Sequence, residues 1–171
     1  MTTDTVNSDL FASLDKTIEE LLIIISSVDE KDINTVPFEN SWTAAQVVAH
    51  VTRSINGMGE ALRMPGKTAD RELDEKANGF KTMFLNFETK MKSPPFVLPE
   101  HDVYEKNELI DTLKNADKKF KESAHEANLS ELLNLPPIGE LTKLELLHFV
   151  LYHTQRHIHQ LKNILQKVTN Q

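Results

Sequence analysis

The sequence predicts an all-α protein with one domain over residues 1–171: a four-helix bundle whose long crossover between helices 2 and 3 carries an accessory helix. Three observations predict it. Apolar residues recur at spacings of three and four along several stretches, as amphipathic helices require. Two stretches open on a capping box, where a Thr hydroxyl and a Gln or Glu side chain satisfy free amides of the first turn. Only five glycines occur in 171 residues, of which 39% are hydrophobic and 26% charged, the proportions of a globular chain. That length suffices for one compact core and is short for two.

The first helix rests on Leu10, Phe11, Leu14, Ile18, Leu21, Leu22 and Ile25, which share one face. A polar loop with Pro37 follows. "TAAQ" at Thr43–Gln46 then caps a second helix, which Pro65-Gly66 stops near Met64. The accessory helix is the stripe Leu73, Ala77, Phe80, Phe84, Phe87 and Met91, weakened by Asn78-Gly79. "SPPFVLPEH" reads as an extended connector, because its three prolines remove backbone donors and fix φ. Leu109, Ile110, Leu113, Phe120 and Ala124 mark the third bundle helix. After a turn at "LPPIGE", "TKLE" at Thr142–Glu145 caps the last helix, which runs toward Thr169.

Composition excludes several function classes. A formal net charge of -7 with no Lys/Arg cluster disfavours nucleic acid and anionic membrane surfaces as partners. The chain has no cysteine, hence no disulfide, thiolate ligand or cysteine nucleophile. The N-terminal stretch lacks the basic-then-apolar pattern of a signal peptide, and "LLIII" is far too short to span a bilayer. These features point to the cytoplasm. HExxH, Walker-A, GxGxxG and GxSxG patterns are all absent.

Histidines carry what chemistry remains. A helical wheel of the last helix places His153 and His157 with Leu146, Phe149, Val150, Gln160, Leu161 and Ile164, while Glu145, His148, Tyr152, Arg156 and His159 fall on the opposite, wet arc. A buried i, i+4 histidine pair has Cβ atoms about 6 Å apart, close enough to grip one ion. The other reading of the pair is two core histidines bonded to backbone or to polar groups of other helices. His50 lies at the edge of the apolar arc of the second helix, in line with Ser54, Gly57 and Ala61. Those small side chains leave a gap, as a solvent-reaching pocket needs; an ordinary boundary histidine is the alternative.

If His50 joins the pair, three neutral nitrogens suit Zn, Ni or Fe(II) and leave a position open for water or substrate. Gln160 would then orient a ligand or bound water, or else simply bond a buried carbonyl. A rival di-iron site could use the Glu-x-x-His strings Glu122–His125 and Glu145–His148. Their orientation opposes it, since both strings lie on polar arcs and Glu145 belongs to a capping box. His101, in the proline-rich connector, has no partner that sequence identifies.

Three motifs together resemble the DinB-like superfamily of metal-binding four-helix bundles: "WTAAQVVAHV", "HTQRHIHQ" and "GELTKLELLHFV", in that order and over about Asp9 to Leu165. The resemblance implies that His50, His153 and His157 occupy the positions of the three metal ligands. It also implies a homodimer and, by analogy with thiol-dependent transferases and isomerases, a low-molecular-weight thiol as co-substrate. The resulting expectation is a metal-dependent enzyme that uses a His₃-bound divalent metal, Zn or Ni before Fe, to activate that thiol or water for transfer to an electrophilic small molecule. The other expectation is a non-catalytic metal-binding or structural stress-response dimer. No catalytic acid or base is assigned.

Overall fold

The structure, a computed structural model, describes residues 3–169 and the side chains of residues 8–169. Its helices are α1 (Thr3–Ser27), α2 (Glu30–Ile33), α3 (Ala44–Arg63), α4 (Ala77–Leu85), α5 (Lys106–Glu126) and α6 (Lys143–Thr169). Three short strands, β1 (Lys67–Thr68), β2 (Glu131–Leu135) and β3 (Gly139–Thr142), form an antiparallel sheet in the order β1-β2-β3. The bundle helices are α1, α3, α5 and α6.

Directions within the bundle follow from side-chain pairs. Asp15 meets Lys121 and Ser26 meets Lys106, so α1 and α5 run antiparallel. Gly59 lies against Phe120 and Arg63 bonds Ser123, so α3 and α5 are parallel neighbours. Thr17 meets Gln155 and Glu20 meets Lys162, which makes α1 and α6 parallel as well. Parallel neighbours cannot be joined by a tight turn. After α3, whose 20 residues span about 30 Å, the chain must return the length of the bundle before α5 begins. That requirement explains the long crossover and its accessory helix α4.

Both capping boxes form. Thr43 Oγ1 accepts from Gln46 N at 3.2 Å while Gln46 Oε1 accepts from Thr43 N at 3.1 Å. Thr142 Oγ1 accepts from Glu145 N at 3.0 Å, and Glu145 Oε2 accepts from Thr142 N at 2.9 Å. Leu14, Ile18, Val47, Val51, Leu113, Phe120, Leu146 and Leu161 belong to one buried core shared by all four bundle helices.

Four local expectations need correction. The "LPPIGE" turn is the tip of a β-hairpin in which Leu133 pairs with Leu141 and Leu135 with Gly139. Gly139 adopts φ +95°, which favours glycine at the start of β3. Short strands edged by Pro and Gly carry too few residues for a period-2 signal. β1 pairs onto β2 through Lys67 and Leu132, and Gly66 permits the approach: a Cβ there would sit 2.8 Å from Glu131 Cβ. Helix α4 covers only Ala77–Leu85, because Leu73 and Met91 lie in irregular segments and Asn86 turns the chain out of the helix. Within the extended connector, Pro95–Val97 forms a 3₁₀ turn. The loop before α3 holds the one-turn helix α2, too short to announce itself.

The wheel of α6 sorts the bundle face correctly and the opposite face only in part, since Lys162, Asn163 and Gln166 are exposed whereas Glu145, Arg156 and His159 are not. Glu145, assigned to the wet arc, has a side chain with 0% exposure. Its carboxylate accepts from Arg71 Nη1 at 2.6 Å, Arg71 Nη2 at 2.7 Å and Lys76 N at 2.7 Å. The crossover covers the start of α6, forming a second layer that a two-sided wheel cannot represent. Burial opposes the charge on Glu145, but the Arg71 guanidinium and the Lys76 and Thr142 amides outweigh it and hold the carboxyl below its ordinary value. Among the described residues, no helix is long and apolar enough to cross a membrane.

Candidate metal centre

Because α3 and α6 are neighbours, the one histidine of α3 meets the pair on α6. His50 Nε2 lies 3.2 Å from His153 Nε2, and His157 Nε2 lies 3.1 Å from the same atom. All three candidate ligand atoms fall within 4.8 Å of one another. Two nitrogens bound to one zinc at about 2.0–2.1 Å and a tetrahedral angle stand about 3.3 Å apart, so the spacing fits a shared ion.

Two of the three outer nitrogens are already engaged. His50 Nδ1 lies 2.8 Å from the Val97 carbonyl, which can only accept, so Nδ1 carries the proton and Nε2 presents a lone pair. His157 Nδ1 donates in the same way to Gln160 Oε1 at 2.8 Å. Two lone pairs therefore converge on His153, whose single Nε2 proton could satisfy only one of them. A cation satisfies all three at once. The two-core-histidine alternative leaves a buried acceptor without a donor, which is costly.

Burial prepares the same donor state. His50 and His157 are 1% and 7% exposed, whereas His153 is partly open. Desolvation lowers the His50 pKa against the opposing Val97 bond. It also pushes His157 down to about 3, aided by the nearby His50. His153 falls well below its ordinary value for the same reason, with repulsion from His157 and His50 added. All three imidazoles are thus neutral donors at neutral pH. In chelator-treated protein the sign of the pH dependence follows. Between about 6.5 in the unfolded chain and about 3 for folded His157, the unfolded state binds more protons, so stability drops as pH falls through that window. The melting temperature of the metal-free protein should be lower at pH 5 than at pH 7.5, with a shallower slope in His157→Gln. A wild-type melting temperature that rises toward pH 5 would contradict this.

The centre forms the floor of a cavity of about 1110 Å³. Aromatic rings fence His153: Phe149 stacks on it at 5.6 Å and Phe84 meets it edge-on at 5.4 Å. Trp42 packs against His50 at 5.1 Å between ring centroids. Gln46 reaches across to the His101 carbonyl, so His101 serves the crossover through its backbone, and its ring lies against Tyr104.

Gln160 Oε1 accepts from His157 Nδ1 and so holds that ring in place. Gln160→Ala should weaken metal affinity about 10–100-fold, the usual cost of losing a ligand's outer hydrogen bond. Equilibrium competition with a metal indicator reads this directly, and unchanged affinity would remove Gln160 from the site.

His159, assigned to the surface, instead lines the cavity and stacks on Phe87 at 3.9 Å. Arg156, also placed on the wet arc, donates to the carbonyls of Phe84, Asn86 and Thr89 and ties the end of α4 to α6. Sequence reasoning missed both because the crossover covers this flank of α6. The Val97 carbonyl had no sequence signal, being backbone. The Glu-x-x-His strings do not converge: Glu122 is exposed, His125 stacks on Phe11, and Glu145 is committed to Arg71.

The family model of the DinB superfamily matches residues 13–161. The chain belongs to the DinB superfamily. YuaE, an uncharacterized protein of Bacillus subtilis (strain 168), is 22% identical over 148 residues, covering 84% of this chain and 90% of YuaE. Among solved structures, a conserved protein from Enterococcus faecalis superposes with a TM-score of 0.65 at 16% identity, over 100% of this chain and 99% of that one. YfiT from Bacillus subtilis, a probable metal-dependent hydrolase with an unusual four-helix bundle topology, superposes with a TM-score of 0.63 at 13% identity, over 99% and 90% of the two chains. These likenesses show that this DinB-superfamily chain shares the four-helix fold.

Proposed function

We propose that this DinB-superfamily protein is a metal-dependent enzyme in which His50, His153 and His157 hold a divalent ion, with Zn or Ni the best fits to three nitrogen donors. The observation that carries the proposal is the convergence of three Nε2 atoms, two with their tautomers set by hydrogen bonds, on the floor of an open cavity. Bound there, such an ion favours the thiolate form of a thiol, or the deprotonated form of water, near neutral pH.

The chain's own residues supply the rest. Val97 and Gln160 keep the His50 and His157 lone pairs aimed at one point. Phe84, Phe149 and Trp42 pack on the imidazoles and offer apolar walls to an electrophilic small molecule. Because the chain lacks cysteine, a thiol nucleophile must be a diffusible, low-molecular-weight co-substrate. The description of YfiT as a probable metal-dependent hydrolase supports the metal and keeps water beside thiol as the nucleophile.

A non-catalytic metal-binding protein is the second reading. It is favoured by one observation: among the described residues, no carboxylate lines the cavity to act as a base. Reconstitution with Zn or Ni, followed by conjugation or hydrolysis of a model electrophile with several low-molecular-weight thiols and with none, separates the two. Metal-dependent turnover supports the enzyme; stoichiometric metal without turnover under any condition supports the binder.

A further inference from the structure

The cavity above the histidines is charged in one sense only. The chain has 26 acidic and 19 basic residues. Among the described residues lining the cavity there is no Asp or Glu, whereas Lys90, Lys92, Arg156 and Lys167 all line it. Glu39 and Glu88 adjoin lining residues in sequence but do not line it themselves. No carboxylate within ion-pair distance neutralises these cations among the described residues. Arg156 is engaged by neutral carbonyls, and Lys167 lies over the Phe38 ring at 4.2 Å.

The mouth is also apolar. Phe38, Met83, Phe87, Met91, Phe96 and Leu98 are exposed large hydrophobics that line this one cavity, leaving only Ile23, Val36, Met64 and Val103 exposed elsewhere among the described residues. A concentration of exposed apolar surface at one concave site marks a ligand surface. Depth orders the groups: His50, His157 and Phe84 are buried, whereas Lys90, Lys92 and Lys167 are exposed. The segment from Phe87 to Lys92 passes over α6 beside the histidines, with Phe87 on His159 and the Thr89 carbonyl on Arg156. Lys90 and Lys92, exposed and lining the cavity, therefore stand at its mouth.

We propose that the cavity selects small amphiphilic anions: an aromatic or alkyl body packed on the Phe84, Phe87 and Phe149 walls, and a carboxylate, sulfonate or similar group held at the mouth by Lys90 and Lys92. Burial of the body supplies most of the affinity. The unopposed cations at the mouth of an apolar-walled cleft supply the choice of sign. The proposal names a substrate class for the enzyme proposed above, and rests on that reading only in directing the reactive end of the molecule toward His50, His153 and His157.

A matched pair of fluorescent probes tests it: 8-anilinonaphthalene-1-sulfonate, and N-phenyl-1-naphthylamine, which has the same rings without the sulfonate. The sulfonate should bind one per chain, at least about tenfold tighter than the neutral amine, with an advantage that shrinks as salt is raised. Decanoate should displace it where decanol at equal concentration does not. Lys90→Glu combined with Lys92→Glu should remove the preference for the anion while leaving amine binding, helicity and metal content unchanged; Lys167→Glu provides an independent reversal at the rim. Equal affinity for both probes, an unaltered preference in the reversed variants, or no binding by either probe overturns the proposal. Repeating the titrations on chelator-treated protein keeps the two readings apart. Anion preference that survives without metal stands even if the metal reading fails. Stoichiometric metal without anion preference overturns this proposal alone.

Discussion

His153→Ala should abolish stoichiometric metal binding while the bundle stays folded. His153 Nε2 is the atom from which the other two histidines are measured, at 3.2 and 3.1 Å. Its loss leaves two donors from different helices, and the affinity should fall by more than the roughly 10–100-fold expected for an outer-shell partner. Bound metal also stabilises the fold by mass action, about 4 kcal/mol at a thousandfold excess over the dissociation constant. Added Zn or Ni should therefore raise the melting temperature of the wild type and leave that of His153→Ala unchanged. Truncation also removes the ring on which Phe84 and Phe149 pack and the one proton offered to the other two histidines, so the metal-free variant should melt below metal-free wild type while staying folded. Elemental analysis with parallel thermal melts checks both statements. A variant that still purifies with one metal per chain, and still melts higher with added metal, would falsify the three-histidine centre.

The largest stability effect should come from Arg71→Ala. Arg71 holds both oxygens of the fully buried Glu145, which closes the capping box of α6 and also accepts from the Lys76 amide. Removing one member of a buried ion pair leaves the other charged and poorly solvated, at about 3–5 kcal/mol. In a chain of this length each kcal/mol shifts the melting temperature by about 2–4 °C, so a drop on the order of 10 °C is expected. The sign of the pH effect also follows. Glu145 is held below its ordinary value, so its contribution is present above the unfolded carboxyl pKa and lost as pH falls through the folded one. Arg71→Ala should narrow that difference, making the variant's deficit smaller in acid than at pH 7. Denaturant midpoints at the two pH values measure this; a deficit under about 1 kcal/mol at pH 7 would show that the two remaining amides suffice.

Much of this molecule is legible in its sequence. The stripes of α1, α3, α5 and α6 follow from a repeat of 3.6 residues, and both capping boxes follow from side chains that bond amides three residues away. Such interactions are local, so spacing alone reveals them. The inward face of His153 and His157 was legible for the same reason. His50 was weaker, since it stood at the edge of an arc beside small residues, and only the adjacency of α3 and α6 places it 3.2 Å from His153. The errors cluster on the flank of α6 that the crossover covers. Glu145, Arg156 and His159 each looked like a solvated residue on one helix, and each is claimed by a segment 67 to 74 residues away or by the cavity.

By itself, the sequence determined the four bundle helices, where the capping boxes sit, and which histidines of α6 face the bundle, because these depend on neighbours within one or two turns. Only the tertiary structure decided that three imidazoles share a centre, that Val97 and Gln160 set two of their tautomers, and that the cavity wall is basic in an acidic chain. Those facts depend on which helices run side by side and where the crossover lies, and long-range packing leaves no periodic trace in a single chain.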